Sequence, residues 1–319
     1  MEPLQESPVA KSKILIIGAT GRLGRHITKA SAAAGHPTFL LIRRGTLKIP
    51  GPEKTAVLED LRNLGTSILE GSLEDKSSLL NALKQVDVVI SAVGHADQQF
   101  LLIEAIKEAG NIKKFYPTEY GTDFDRATCV PSLTPMKAKI QVRRAIEAAG
   151  IPYTIVANVA FASIFLAHFW HLEYESPPRD KVEFYGDGER RVPFVFEEDV
   201  AKYLIESVDD SRTLNKVLCV RPKLNFISPK QVVARWEKKL RHTLEKTYVT
   251  EEEMLKRLSE PDGPPLFDIY TPNLILALRY VIFVKGEMDL PLLPNEVEAD
   301  ELYPHVKYRT VEEFLDSCL

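Results

Sequence analysis

Gly18-Ala19-Thr20-Gly21-Arg22-Leu23-Gly24 sits between an apolar run at 14–17 and a helical pattern at 23–34, and few folds accept that arrangement. The first glycine permits a sharp turn and the second lets backbone approach a pyrophosphate. The third lets the helix pack closely on the strand. Free N–H groups and the positive helix end then hold phosphates. The alternative is a tight strand–helix turn without a ligand.

The chain beyond the loop favours the ligand. Short apolar runs recur at 14–17, 38–42, 67–69, 86–92, 114–116 and 153–156, each mostly apolar as strands covered on both faces should be. Amphipathic stretches at 23–34, 54–64, 76–84, 98–109 and 137–149 lie between them, several stopping at Gly35, Gly65, Gly110 and Gly150. Alternation of this kind predicts right-handed βαβ units and an α/β fold. The architecture is a Rossmann-type doubly wound parallel sheet with a smaller, irregular C-terminal substrate lobe. Residues 1–12 read as a loose tail, 13–158 as the NADP-binding domain and 159–319 as the lobe, interleaved with the first domain. In the lobe, helices are expected at 200–208, 229–240, 251–258 and 310–317, with a strand at 217–220. The lobe should cover the carboxyl ends of the strands, where open α/β sheets bind ligands.

Composition narrows the partners. The chain has 319 residues, 45% hydrophobic and 27% charged, enough for a sizeable core, and its net charge of −4 argues against a nucleic-acid partner. The most apolar run, 275–284, is too short to span a bilayer and contains Arg279, so no membrane partner is expected. Cys129, Cys219 and Cys318 show no metal-ligand spacing, and their odd number argues against a disulfide framework. A cytoplasmic location is expected, and a homodimer is left open.

The second strand ends Leu41-Ile42-Arg43-Arg44-Gly45, with no acid before Glu53. An NAD site wants a carboxylate there, whereas a 2′-phosphate wants a guanidinium. NADPH is therefore the expected cofactor, with Arg43 on its 2′-phosphate and Lys54 or Lys48 assisting. On the helix at 137–149, Lys139 shares a face with Val142, Ile146 and Ala149, whereas Lys137 shares one with Ile140, Arg144 and Ala148. Lys139 is the better candidate for a buried amine, whose lowered pKa suits acid–base work. The alternative is a surface lysine. Arg143, one turn on, either reaches the cofactor phosphates or caps a charged face. The tyrosine of the Tyr-x-x-x-Lys pair common in short-chain reductases is Pro135 here.

These residues carry a resemblance. The spacing Gly-x-x-Gly-x-x-Gly resembles the loop of extended and atypical short-chain reductases. Gly35-His36-Pro37-Thr38-Phe39, Pro117-Thr118-Glu119-Tyr120-Gly121, Arg143-Arg144-Ala145-Ile146-Glu147 and Ile151-Pro152-Tyr153-Thr154 add to it, as do Pro177-Pro178-Arg179-Asp180-Lys181-Val182 and Gly186-Asp187-Gly188. From Lys13 on, the chain resembles the plant isoflavone reductase-like family of NmrA-like reductases, which includes pinoresinol–lariciresinol, phenylcoumaran benzylic ether and isoflavone reductases. The resemblance implies NADPH-dependent reduction of a phenylpropanoid-derived aromatic substrate. It places the family's catalytic lysine on Lys139, a cofactor-pocket residue on Arg143 and a second phosphate-binding lysine on Lys54. Substrate contacts are implied for Phe161, Met136 and Tyr280. At several such positions the chain departs from the family: Ser-Glu-Phe-Gly becomes Thr118-Glu119-Tyr120-Gly121, Met136 and Tyr280 replace a Phe and a His, and Val159 replaces an Asn, with Asn158 one place early. In the implied mechanism Lys139 takes a phenolic proton, the benzylic C–O bond breaks, and hydride quenches the carbon; for an enone substrate Lys139 would instead protonate or polarise the carbonyl side. The alternative is a redox sensor that binds NADP and regulates a partner without turnover.

Three further features carry less. Phe161, Phe165, Phe169 and Trp170 fall at helical spacing and suit a core as well as a substrate wall. His168 and His171 have no third ligand nearby, so no metal is expected. His95 comes just after a strand end, where it either touches substrate or, the preferred reading, is a loop histidine.

Overall fold

The computed structural model describes residues 10–48, 52–126, 133, 136–158, 160–171, 176–266 and 270–319, with backbone alone at 47, 48, 52–54 and 160. Strand β1 (Ile14–Ile17) shows why the sheet is central: all four side chains are buried. Ile14 and Ile16 enter one core while Leu15 and Ile17 enter another, one on each face of the sheet. The chain continues through α1 (Arg22–Ala33), β2 (Thr38–Ile42), α2 (Arg44–Lys48), α3 (Pro52–Asn63), β3 (Ser67–Glu70), α4 (Lys76–Leu83), β4 (Val88–Ser91), α5 (Phe100–Ala109), β5 (Lys114–Tyr116), α6 (Lys137–Ala148) and β6 (Thr154–Ala157). The helix expected from residue 98 starts at Phe100 because a 3₁₀ turn, Ala96–Gln99, precedes it.

The second half runs β7 (Ala160–Phe161), α7 (Ala162–Phe165), β8 (Lys181–Tyr185), β9 (Val192–Val195), α8 (Glu197–Glu206), β10 (Lys216–Cys219), β11 (Phe226–Ile227), α9 (Pro229–Leu240), β12 (Glu245–Val249), α10 (Glu251–Ser259), α11 (Pro272–Arg279), β13 (Glu296–Glu298), α12 (Ala299–Leu302) and α13 (Val311–Asp316).

The first five strands form a parallel sheet in the order β3-β2-β1-β4-β5. A parallel bridge from Phe115 to Tyr153 carries it on to β6, and β10 and β13 add in parallel beyond. The strand order reverses between β1 and β4, which opens a crevice at their carboxyl ends. β10 and β13 extend the sheet, and Val200, Ala201 and Leu204 of α8 share a core with Leu23 and Ile27 of α1.

The rest of the second half forms the lobe. β8 pairs with β12, and β9 pairs with β7 and β11. Phe169, Trp170, Phe184, Trp236 and Phe283 centre its core, so three of the four helically spaced aromatics, Phe165 included, pack there. After α11 the chain winds into a π-helical turn, Tyr280–Lys285. Among the described residues no helix is long and apolar enough to cross a membrane.

Candidate active site

The glycine turn sits under α1 as the spacing requires. Gly18 has φ +83°, and a Cβ there would lie 2.5 Å from the Ala92 carbonyl oxygen. A Cβ on Gly24 would lie 2.0 Å from the Gly18 carbonyl oxygen, which fixes how tightly helix and strand meet. Gly21 caps α1 without a side-chain hydrogen bond. By contrast α4, α9, α10 and α13 carry Asp75, Ser228, Thr250 and Thr310 caps. The first N–H groups of α1 therefore face the crevice with no side chain competing for them.

Two cavities meet along this crevice and share Ala92, Val93, Gly94 and Asp97. The first, about 610 Å³, is walled by Gly18, Ala19, Thr20, Gly21 and Arg43. Arg43 is exposed at its edge, while Arg44 turns to Glu70, 3.3 Å away. The side chains of Lys48 and Lys54 lie outside the described residues. The second cavity, about 390 Å³, is walled by His95, Glu119, Tyr120, Met136, Lys139 and Phe161, with Tyr270 from the lobe. Arg22 and Leu23, the first residues of α1, border this second cavity, and Arg22 Nη1 lies 4.0 Å from Glu197 Oε1.

Lys139 lies on the inward face of α6, in line with buried Val142, Arg143 and Ile146, while Lys137 is exposed. Its Nζ donates to the Glu119 carbonyl at 2.7 Å and lies 5.5 Å from the centre of the Phe124 ring. Burial holds this amine below the ordinary lysine range; Glu119 opposes that shift and Arg143 adds to it. Glu119 is 3% exposed, and burial raises its carboxyl against the pull of Arg143 and Lys139. Below it, Thr118 ties two strand ends together, its N–H donating to Gln99 Oε1 at 2.9 Å and its hydroxyl to the Val93 carbonyl at 2.7 Å.

Two expected residues sit elsewhere. Arg143 borders neither cavity. Its guanidinium pairs beneath the site with Asp123 (2.9 Å), Asp125 (3.3 Å) and Glu119 (3.5 Å), and its Nε is sealed from solvent with no hydrogen-bond partner among the described residues. Tyr280 is buried in the lobe core, its hydroxyl donating to Glu251 Oε1 at 2.8 Å, and it does not reach the cleft. Val159 lies outside the described residues. Asn158 is fully buried, and its amide has no hydrogen-bond partner among the described residues.

Glu119 and Tyr120 stand in the sequence only as letters of a motif, and nothing there marks Asp97, Glu197 or Tyr270 as site residues. Glu119 had a usable signal, a carboxylate just past the end of a central strand. Tyr270 had none, because it lies in an aperiodic loop. His171 Nε2 contacts the Glu183 carbonyl at 3.0 Å, and no His, Cys, Asp or Glu cluster among the described residues is placed to hold a metal.

The arrangement offers a phosphate cradle at one end of a cleft and a half-buried amine at the other. Residues 10–315 match the model of the NmrA-like family. A phenylcoumaran benzylic ether reductase of Ginkgo biloba is 48% identical over 312 residues, covering 97% of this chain and 99% of that protein. A crystal structure of isoflavone reductase is 41% identical with a TM-score of 0.90, covering 97% of this chain and 100% of that one. A structure holding NADP+ and (+)-pinoresinol is 36% identical with a TM-score of 0.87, covering 97% of this chain and 99% of that one.

Proposed function

The chain belongs to the NmrA-like family, among its isoflavone reductase-like members, and from that premise we infer that it is an NADPH-dependent reductase of a phenylpropanoid-derived aromatic substrate. One observation carries the reading of the site: Lys139 opens on a cavity continuous with the cradle under α1. The cradle fits NADPH. Its close contacts at Gly18 and Gly24 leave no room for Cβ atoms, and the uncapped start of α1 presents N–H donors for a pyrophosphate. Arg43 is placed to take the 2′-phosphate. Bound there, NADPH supplies a hydride to the substrate carbon.

The protein's own part is positioning and proton movement. Met136, Phe161 and Tyr270 wall an apolar space for an aromatic ring. Lys139, held by the Glu119 carbonyl, accepts the phenolic proton as a neutral amine, a state that its burial favours. The electron pair left on the substrate oxygen expels the benzylic C–O bond, and the ammonium returns its proton to the released oxygen. The reduction as a whole consumes one further proton from water.

The test is Lys139→Ala assayed with NADPH and a panel holding a phenylcoumaran, pinoresinol and an isoflavone. Turnover should fall by about 10²- to 10⁴-fold, while NADPH affinity, read by fluorescence titration, stays within about threefold, since Lys139 lies outside the cradle. Retained turnover with lost affinity would overturn the assignment. A regulatory NADP sensor would yield no product from any member of the panel.

A further inference from the structure

Glu119 is gripped through two different groups by two cations one turn apart on α6. Its carbonyl accepts from Lys139 Nζ at 2.7 Å, and its Oε2 lies 3.5 Å from Arg143 Nη2. The other oxygen, Oε1, is sealed from solvent and takes no hydrogen bond among the described residues. Arg143 is mainly committed elsewhere, with Nη1 at 2.9 Å from Asp123 and 3.3 Å from Asp125. Glu119 thus holds the most distant share of one guanidinium. Arg143 is the cation that keeps this buried carboxyl ionised, and the carboxylate has capacity left to stabilise a second positive charge nearby. Lys139 is also short of a counter-ion, since its hydrogen bond goes to a neutral carbonyl.

We propose that Glu119 is a positioning residue for the reaction: its carbonyl fixes the Lys139 amine at the cavity wall, and its carboxylate stabilises the ammonium that forms when the amine takes a proton from substrate. The inference rests on Lys139 being the base. In that step the substrate O–H bond breaks, its electron pair stays on oxygen, and an N–H bond forms at Nζ. The new positive charge develops at an amine that the Glu119 carbonyl already holds, in the field of a carboxylate that Arg143 keeps ionised, so little reorganisation is needed. Burial pushes the carboxyl up and the amine down, and each group opposes the shift of the other. That mutual opposition is expected of opposite charges that stabilise one another.

Other charges surround the pair. Arg143, Asp123 and Asp125 lie beneath it. Across the cavity stand His95, Asp97, Arg22 and Glu197, with the phenols of Tyr120 and Tyr270. None of them hydrogen-bonds the Lys139 amine, whose partner is Glu119. Their fields are common to wild type and variants, so a difference between the two isolates Glu119.

The experiment titrates Lys139 directly. Lysines of the cofactor-free protein are reductively methylated with ¹³C-formaldehyde, and the Lys139 signal is assigned by its loss in Lys139→Arg. In Glu119→Gln the Lys139 midpoint should fall by about one pH unit or more, as removal of a nearby opposite charge requires. The acid limb of kcat should move the same way, and the plateau of kcat should drop about tenfold, with KM for NADPH unchanged. Glu119→Asp keeps the charge one methylene further back and covers the case that E119Q fails to fold; its midpoint should fall by less. An unchanged or raised midpoint in a folded variant would refute the coupling. Retained turnover in Lys139→Ala, with the midpoint shift still present in E119Q, would reject the base assignment alone.

Discussion

Arg43 and Arg44 are neighbours with different tasks. Arg44 makes an exposed ion pair with Glu70, a contact of about 0–1 kcal/mol. Arg43 borders the glycine-turn cavity and pairs with no carboxylate among the described residues. Arg43→Ala should lower NADPH affinity about ten- to a hundredfold, the loss of one charge-assisted contact of roughly 1.5–3 kcal/mol. NADH affinity should hardly change, and a side-by-side titration of the two nucleotides checks it. Equal losses for both would remove Arg43 from the 2′-phosphate. At this scale the chain was unevenly readable. The face carrying Lys139 could be drawn from spacing because α6 is regular and its inward row, Val142 and Ile146, is apolar. The cage around Arg143 could not, because Asp123 and Asp125 come from an aperiodic segment that only the fold brings back under α6. Tyr280 was expected at the substrate only through the family resemblance, and the fold puts its ring in the lobe core, bonded to Glu251.

Among the elements, those buried on both faces were readable to the residue. β1 is a continuous apolar run, β2 and β5 are mostly apolar or aromatic after Thr38 and Lys114, and α9 carries Ser228, Pro229 and Gln231, a capping box with proline at the first turn. β12 was missed because Glu245–Val249 leaves four of its five residues exposed and shows no apolar run, and β13 because three residues give no pattern. Lys114 marks how β5 is fastened to the turn beyond α8. Its buried Nζ donates to the carbonyls of Ser207 and Asp210, both at 2.8 Å, and to Thr213 Oγ1 at 3.1 Å. Lys114→Met strands these acceptors, so stability should fall by about 2–3 kcal/mol in urea unfolding. Burial lowers the amine to about 8 in the folded protein, against 10.5 for a free lysine. The folded state therefore binds the proton less tightly, and the cost is fully present below pH 8. It is relieved as pH rises from about 8 towards 10.5, so the stability gap between wild type and Lys114→Met should widen over that window. A gap that narrows would mean that the charged amine is the better-held form.

Taken as one molecule, the chain does not divide where its composition changes. The sheet that carries the glycine turn continues through β6 into β10 and β13, and α8 shares the core of α1. Residues 13–158 alone would leave β6 with a bare edge and α1 with an uncovered apolar face. That fragment should melt without a cooperative transition, whereas the full chain melts cooperatively, as calorimetry can check. A sharp transition in the fragment would show that the first half is self-sufficient. The sheet's far edge also has a consequence for biosynthesis. β6 leaves the ribosome before β10, so the nascent chain carries an open, apolar strand edge while residues 158–215 are made. A chaperone that shields strand edges would find its substrate in that interval, and synonymous codon changes that slow the stretch between β6 and β10 would lengthen it.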